Sequence, residues 1–341
     1  MKKEFITYYF GAGASTGAIP VVNNFKEDMD VIDNKDDFYL NKLHGTSDAM
    51  YLKYMDESSK LVSFLYRDLK DLKNILSNHI SFDTYARIQY LRNNVREIKK
   101  LKYALSVYLT ILQIINKTNP RYESFLASII ELNEDDVFLP ETVNFISWNY
   151  DMQLEKAIAE LLGYKNHNAV YQILNVLPGM KKEIKSNSPF LIKLNGTAAF
   201  HYRFDQSIDL IEYLFTKNDK DGLKEIIDYY NKITLNPNMN APFSFSWETE
   251  DKMVEASRKK AAEIISATEI LVTIGYSFPV FNRKIDRELL SLGNRIKKIY
   301  VQNDTKDIDS VLVRLSSLLD RTVEIIAVRD VEQFYIPFEL V

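Results

Sequence analysis

The most constraining feature of this chain is its start. Phe5 to Phe10 reads FITYYF, and Gly11-Ala12-Gly13-Ala14-Ser15 follows without a break. Six β-branched and aromatic residues that stop at a run of small ones predict a buried strand emptying into a tight turn. A buried strand ending in such a turn is how a doubly wound α/β fold opens.

The next hundred residues predict helix. From Tyr85, apolar residues recur at Ile88, Leu91, Val95, Ile98, Leu101, Leu105, Leu109 and Leu112, one face of a single long helix. Tyr51 to Leu76 carries a similar pattern, and Phe125 to Ile130 predicts a short helix after Asn119-Pro120. Past Pro140 strands and helices alternate. Val143 to Trp148, Leu191 to Leu194, Ile270 to Ile274, Lys298 to Val301 and Val323 to Ile326 predict strands. Leu154 to Leu162, a polar region from Ile208 to Ile233, Asn282 to Leu290 and Ile308 to Leu319 predict helices. The expected fold is α/β: a Rossmann-like, mostly parallel sheet flanked by helices, with an inserted helical subdomain. Residues 1–35 and 136–341 would form the nucleotide-binding domain and 36–135 the insertion.

Composition removes several function classes. The 43 basic and 47 acidic side chains leave a net charge of −4, which gives no electrostatic footprint for nucleic acid or an acidic membrane. No cysteine is present, so disulfides, thiolate zinc sites and a cysteine nucleophile are excluded, and with four histidines no metal is expected. The apolar run at the N-terminus is too short for a signal peptide, and no apolar stretch is long enough to cross a bilayer, so a cytoplasmic protein is expected.

Ligands in doubly wound sheets bind at the carboxyl ends of strands, and four loops there carry chemistry. Gly11, Ala12, Gly13, Ala14 and Ser15 would let backbone N–H groups approach a diphosphate, helped by the positive end of the following helix. A plain βα turn explains the same residues. Thr16 replaces the last glycine of the dehydrogenase fingerprint, and no acid-terminated strand follows about twenty residues later, so hydride transfer loses support. After the next strand come Asn149 and Asp151, which point the same way if the extended geometry continues. An amide and a carboxylate there suit ribose hydroxyls or a held water; Asp151 would equally cap the helix that follows. Leu194-Asn195-Gly196 and Gly275-Tyr276-Ser277-Phe278 are ordinary strand-to-turn sequences when taken singly.

In this order and spacing, the four loops resemble the sirtuin family, and more closely the sirtuin-like proteins of bacterial anti-phage defence. Asn144 to Asp151 is similar to the signature FISxNYD, and Thr273 to Phe278 to xIGYSF with Asp286 downstream. Asn303, after Val301-Gln302, fits a late strand that in the family ends near the adenosine, and Ser81 to Ala86 looks like the motif opening the helical part. The resemblance spans most of the chain. It implies NAD as substrate, held by Gly11 to Ser15, Asp151, Gly275, Ser277, Phe278 and Asn303, with Asn149 and Asn195 at the catalytic positions. The implied activity is NAD hydrolysis to nicotinamide and ADP-ribose by a defence effector. Its implied partners are further copies of the chain or a separately encoded regulatory or sensor protein. The alternative is a non-catalytic subunit that binds NAD or an ADP-ribose derivative.

Two departures bear on activity. Deacylating sirtuins carry a four-cysteine zinc module, which is absent here. The family turn reads Leu-His-Gly with histidine as base, whereas this chain has Asn195, whose amide takes no proton near neutral pH. Lys42-Leu43-His44-Gly45 copies the family turn out of order and reads as coincidence; His79 reads as a helix-interface residue, and His167 and His201 as loop and surface residues.

Overall fold

The computed structural model describes residues 4–21, 24–29, 65, 67–133, 136–179, 184–185, 187–198, 200–203, 206–209, 211–216, 222–236, 243–248 and 252–340. In chain order these form β1 (Ile6–Phe10), α1 (Phe25–Met29), α2 (Phe82–Leu91), α3 (Val95–Ile115), α4 (Pro120–Ile129), β2 (Glu131–Asn133), β3 (Asp136–Phe138), β4 (Val143–Ser147) and α5 (Gln153–Leu162). Then come α6 (His167–Val170), β5 (Asn175–Leu177), β6 (Phe190–Lys193), β7 (Phe200–Arg203), β8 (Gln206–Asp209), α7 (Ile211–Thr216) and α8 (Gly222–Leu235). The chain closes with α9 (Lys252–Ala267), β9 (Ile270–Ile274), α10 (Arg283–Leu292), β10 (Lys298–Gln302), α11 (Ile308–Ser316) and β11 (Glu324–Val328).

Two compact units result: residues 1–16, 118–196 and 244–341, and residues 17–117 and 197–243. The first holds a seven-stranded sheet in the order β11-β10-β9-β1-β4-β6-β5, with every neighbouring pair parallel. The α/β class expected from the sequence is the one observed.

β1 lies at the centre and all five of its residues are buried, so it has no solvent face and needs no polar alternation. Successive side chains point to opposite layers. Tyr8 and Phe10 join Tyr122, Phe125, Phe145 and Phe334 on one side, with Tyr8 and Phe125 ring centroids 4.7 Å apart. Tyr9 joins Trp148, Leu271, Tyr276, Phe278 and Leu289 on the other. The register pairs Phe10 with Ser147 of β4 and with Ile274 of β9. Three strands therefore end level, and the loops that follow them leave the sheet side by side.

The sheet unit extends beyond the expected boundary at 136, because α4 packs on α5 and sends Tyr122 and Phe125 into the aromatic layer. Its α5 ends at Gly163, whose φ of +67° closes the helix in the left-handed conformation.

The second unit is helical. The long helix expected from Tyr85 to Leu112 is two helices, since Asn93 takes a φ of +57° and stops α2 before α3 begins. Ser81 caps α2 by accepting from the Thr84 N–H at 3.1 Å, which accounts for that motif by helix initiation. The stretch expected to be helical from Ile208 to Ile233 begins instead with the end of β8, which pairs with β7, and continues as α7 and α8. Tyr229 and Tyr230 of α8 are buried, as core residues. Residues 67–78 are helical, while 51–64 of the Tyr51 to Leu76 run, and His44, lie outside the described residues. Among the described residues no helix is long and apolar enough to cross a membrane.

Candidate functional site

The strand sequence in the sheet runs outward from β1 through β4 to β6 and β5, then returns to place β9, β10 and β11 on β1's other side. The order reverses between β1 and β9. In doubly wound sheets ligands bind outside the carboxyl ends of such a pair. Here the loops that follow the pair are Gly11–Ser15 and Gly275–Phe278, and their backbones touch. The Gly11 N–H donates to the Ile274 carbonyl at 3.0 Å and the Gly13 N–H to the Gly275 carbonyl at 2.9 Å. A Cβ on Gly13 would lie 2.8 Å from the Gly275 Cα, and one on Gly275, at φ +59°, would lie 2.4 Å from the Gly13 carbonyl carbon. The glycines are thus required by the approach of two loops.

Ala12 to Ser15 form a four-residue 3-10 turn instead of the start of a long helix, so the expected helix-end charge is missing. A cation supplies charge there by another route. Arg121, the second residue of α4, donates from its Nη2 to the carbonyls of Gly13 and Ala14 at 2.7 and 3.0 Å. The side chains of Ala14 and Ser15 are buried; Ala12 is exposed and Gly13 half-buried, so the outer rim is the accessible part of the loop.

Asn149 is buried beside this loop. Its Nδ2 donates to the Gly11 carbonyl at 2.9 Å and to the Ser15 Oγ at 3.3 Å. Both amide protons are committed, which leaves the Oδ1 as the group Asn149 can offer. Asp151 does not share this direction, because the chain has turned away from the strand. Its Oδ1 accepts from the Gln153 N–H at 3.0 Å, a turn that precedes the N-cap Met152 of α5.

Asn195 stands two residues past Lys193, as Asn149 stands two past Ser147, and Ser147 and Lys193 are register partners in adjacent strands. Its Oδ1 accepts from Arg258 Nη2 at 3.0 Å. The same guanidinium donates to the carbonyls of Leu194 and Glu248, both at 3.2 Å. The amide orientation is therefore set by a cation, and Asn195 presents an N–H donor. Below it Lys193, nearly fully buried, pairs with the equally buried Glu155 at 3.0 Å and donates to the Asp151 carbonyl. Burial raises the Glu155 carboxyl above its ordinary range, and the Lys193 charge opposes that shift without cancelling it.

On the β9 side Ser277 is exposed, and Arg314 holds its carbonyl at 2.9 Å. Asn303, half-buried after β10, donates from Nδ2 to the Tyr276 carbonyl at 3.3 Å. Phe278 departs from the expected cofactor-binding role. Its ring is 2% exposed and stacks on Tyr9, so only its backbone, at φ +49°, remains for a ligand. Within the sheet unit the structure thus gathers Gly11 to Ser15, Asn149, Gly275, Ser277 and Asn303 at one edge, with Asn195 two strands from β1.

Three of the four histidines fall in the described residues. His79 lies in the helical unit with its ring 5.2 Å from Tyr85. His167 opens the short helix α6 instead of lying in a loop, and its ring packs on Tyr171. His201 is on β7, in the helical unit. A cleft of about 230 Å³ in that same unit is lined by Asp68, Asp71, Glu97, Lys100 and neighbours. Its lysine is taken up by Asp71 at 2.6 Å. Among the described residues no group of His, Asp and Glu could hold a metal ion.

Arg121, Arg258 and the Lys193–Glu155 pair were not anticipated. Lys193 carried a signal: a lysine closing the apolar strand Phe190-Leu191-Ile192 needs a buried partner. The two arginines bond to backbone carbonyls distant in sequence, which no local pattern reveals.

No protein-family model matches the chain, and no curated protein does. Solved structures do, and three of them are described as Sir2 proteins. A Sir2 in complex with the inhibitor EX-527, 2′-O-acetyl-ADP-ribose and a deacetylated p53 peptide is 12% identical; the match covers 88% of this chain and 81% of that one, with a TM-score of 0.36. Sir2Tm bound to a propionylated peptide is 12% identical over 89% and 82%, with a TM-score of 0.35. A structure describing the mechanism and regulation of Sir2 enzymes is 13% identical over 95% and 87%, with a TM-score of 0.38.

Proposed function

We propose that the chain binds NAD at the carboxyl ends of β1 and β9 and cleaves it to nicotinamide and ADP-ribose, as an effector of bacterial anti-phage defence. The observation that carries this reading is the meeting of two small-residue loops at the point where the strand order reverses, with the Asn149 amide locked onto one of them. The outer rim of Gly11–Ser15 would take the diphosphate, with Arg121 behind it. Ser277 and Asn303 would take the adenosine half, and Asp151 would fix the turn that carries Asn149. NAD is substrate here, and no metal is required.

Cleavage breaks the bond between C1′ of the ribose and the pyridinium nitrogen. The electron pair leaves with nicotinamide, which departs neutral, and the carbon becomes oxocarbenium-like. Water then adds at C1′ and releases its proton to solvent. Asn149 Oδ1 is an acceptor for a ribose hydroxyl or for that water, and Asn195 Nδ2 is a donor. Neither is a base, so the acceleration is positioning and electrostatic complementarity. The basal rate is low and is raised by self-assembly or by a partner chain. The second reading, a subunit that binds NAD or an ADP-ribose derivative without turnover, is favoured by one observation: Arg258 holds the base position as a donor.

Thermal melting with and without NAD separates both readings from an empty fold. A ligand at about one hundred times its Kd stabilises the native state by about 2.7 kcal/mol, so the melting temperature should rise measurably. An unmoved transition at millimolar NAD would remove both readings, and nicotinamide release decides between them.

A further inference from the structure

Asp286 is a carboxylate on α10 with no exposed surface, and it is not among the groups assigned to the ligand. Three donors converge on it. Tyr9 Oη reaches Oδ1 at 2.7 Å, Trp148 Nε1 reaches Oδ1 at 3.2 Å, and Tyr276 Oη reaches Oδ2 at 2.7 Å. Trp148 Nε1 also donates to Tyr9 Oη at 3.0 Å, and Asn282 Nδ2 donates to Tyr276 Oη at 3.0 Å. Each donor belongs to a different strand end. Tyr9 is two residues before Gly11, Trp148 directly precedes Asn149, and Tyr276 lies between Gly275 and Ser277. One buried side chain therefore joins the ends of β1, β4 and β9.

We propose that Asp286 is the positioning residue of the strand-end site: as a carboxylate, and only as one, it fixes the relative placement of the three loops that follow β1, β4 and β9. The ionised form accepts from all three neighbours with no hydrogen of its own on either oxygen. A protonated carboxyl must place its own hydrogen on one of the same oxygens. On Oδ2 that hydrogen points at Tyr276 Oη, which already accepts from Asn282. Tyr276 must then turn its hydroxyl hydrogen away, and the link to the Gly275–Phe278 loop changes direction.

Burial raises the Asp286 carboxyl to about 7, with the Tyr9, Tyr276 and Trp148 bonds pulling the other way. The titratable groups facing it are the Tyr9 and Tyr276 phenols, both held well above their ordinary range by burial and by Asp286 itself. Trp148 and Asn282 bring dipoles, and α9, which packs on α10, brings the apolar Ala261, Ile264 and Ile265. The switch from acid to carboxylate thus falls within the neutral range, and the loops lock as pH rises through it.

The proposal rests on the nucleotide reading only for its consequence, a gain of NAD affinity as the carboxylate forms. Its test has a part that needs no ligand. Trp148 and Trp247 are the two tryptophans, so a Trp247→Phe background reports Trp148 alone. Trp148 emission should titrate with a midpoint near pH 7, and adding Asp286→Asn should abolish that titration. Emission that is flat from pH 5.5 to 8.5, or a titration that survives Asp286→Asn, would overturn the proposal. Tyr276→Phe keeps the ring and removes one link, so it guards against misfolding of the Asp286 variant. It should keep the Trp148 titration and weaken NAD about tenfold or more, the scale of one hydrogen bond to a charged group. Unchanged affinity in Tyr276→Phe would overturn the proposal. A wild-type protein that titrates as expected but binds no NAD would leave Asp286 in place and remove the nucleotide reading instead.

Discussion

Gly13 and Gly275 approach until no Cβ fits between them, so a glycine-rich loop here serves packing first. Gly13→Ala forces the two loops apart and should destabilise the fold by about 1–3 kcal/mol, the usual cost of overpacking. Urea denaturation checks this; a variant as stable as wild type would show that the loops yield freely. Asn195 makes a second residue-scale prediction through Arg258, 3.0 Å away. A histidine placed there sits beside a fixed cation, which disfavours its charged form and lowers its pKa below the usual value of about 6.5. Turnover by Asn195→His should exceed that of wild type and rise with pH through a midpoint below about 6.5. A pH–rate profile decides; a variant no faster than wild type would show that the site does not lack a base. The strand-end placement of the glycine loop, Asn149 and Asn195 was legible because each follows a strand in a recognisable order. Phe278 was misplaced because a motif names a residue without saying which way its ring turns, and at φ +49° this one turns into the core.

Between strands, the buried Lys193–Glu155 pair ties β6 to α5 below Asp151. Lys193→Met leaves Glu155 charged and alone in the interior and should cost about 3–5 kcal/mol. Replacing both, with Glu155→Leu as the partner change, should recover most of that loss, since a well-packed apolar pair is often as stable as a buried ion pair. A double-mutant cycle in chemical denaturation measures the coupling, and additive losses would contradict the pairing. Most sheet strands could be read from apolar runs, because a strand buried on both faces advertises itself. The break between α2 and α3 could not, since the apolar spacing runs on across Arg92 to Asn94 while the backbone at Asn93 does not. The helix α9 was missed because charged and small residues interrupt its apolar spacing, and its core contacts come from few positions, among them Val254, Ala261, Ile264 and Ile265.

At the scale of the molecule, the sequence implied a sheet domain and one helical insertion, and the chain forms a sheet unit and a helical unit. The boundaries differ for a physical reason: residues 197–243 also leave the sheet unit, and their hairpin carries no apolar run to announce it. The order of the seven strands, which puts β9 beside β1, follows from crossover connections that local periodicity does not encode. The central claim is that NAD is cleaved at these strand ends with Asn149 aimed at the reacting ribose. It is tested most directly by the rate of nicotinamide release from NAD, wild type against Asn149→Ala, at matched folded fraction and across protein concentrations that span assembly. The account predicts nicotinamide and ADP-ribose in equal amounts from wild type, and a rate lower by about a hundredfold or more in the variant, the scale of losing one preorganised polar group. Equal rates in the two proteins, or no nicotinamide from wild type at any concentration, would contradict it.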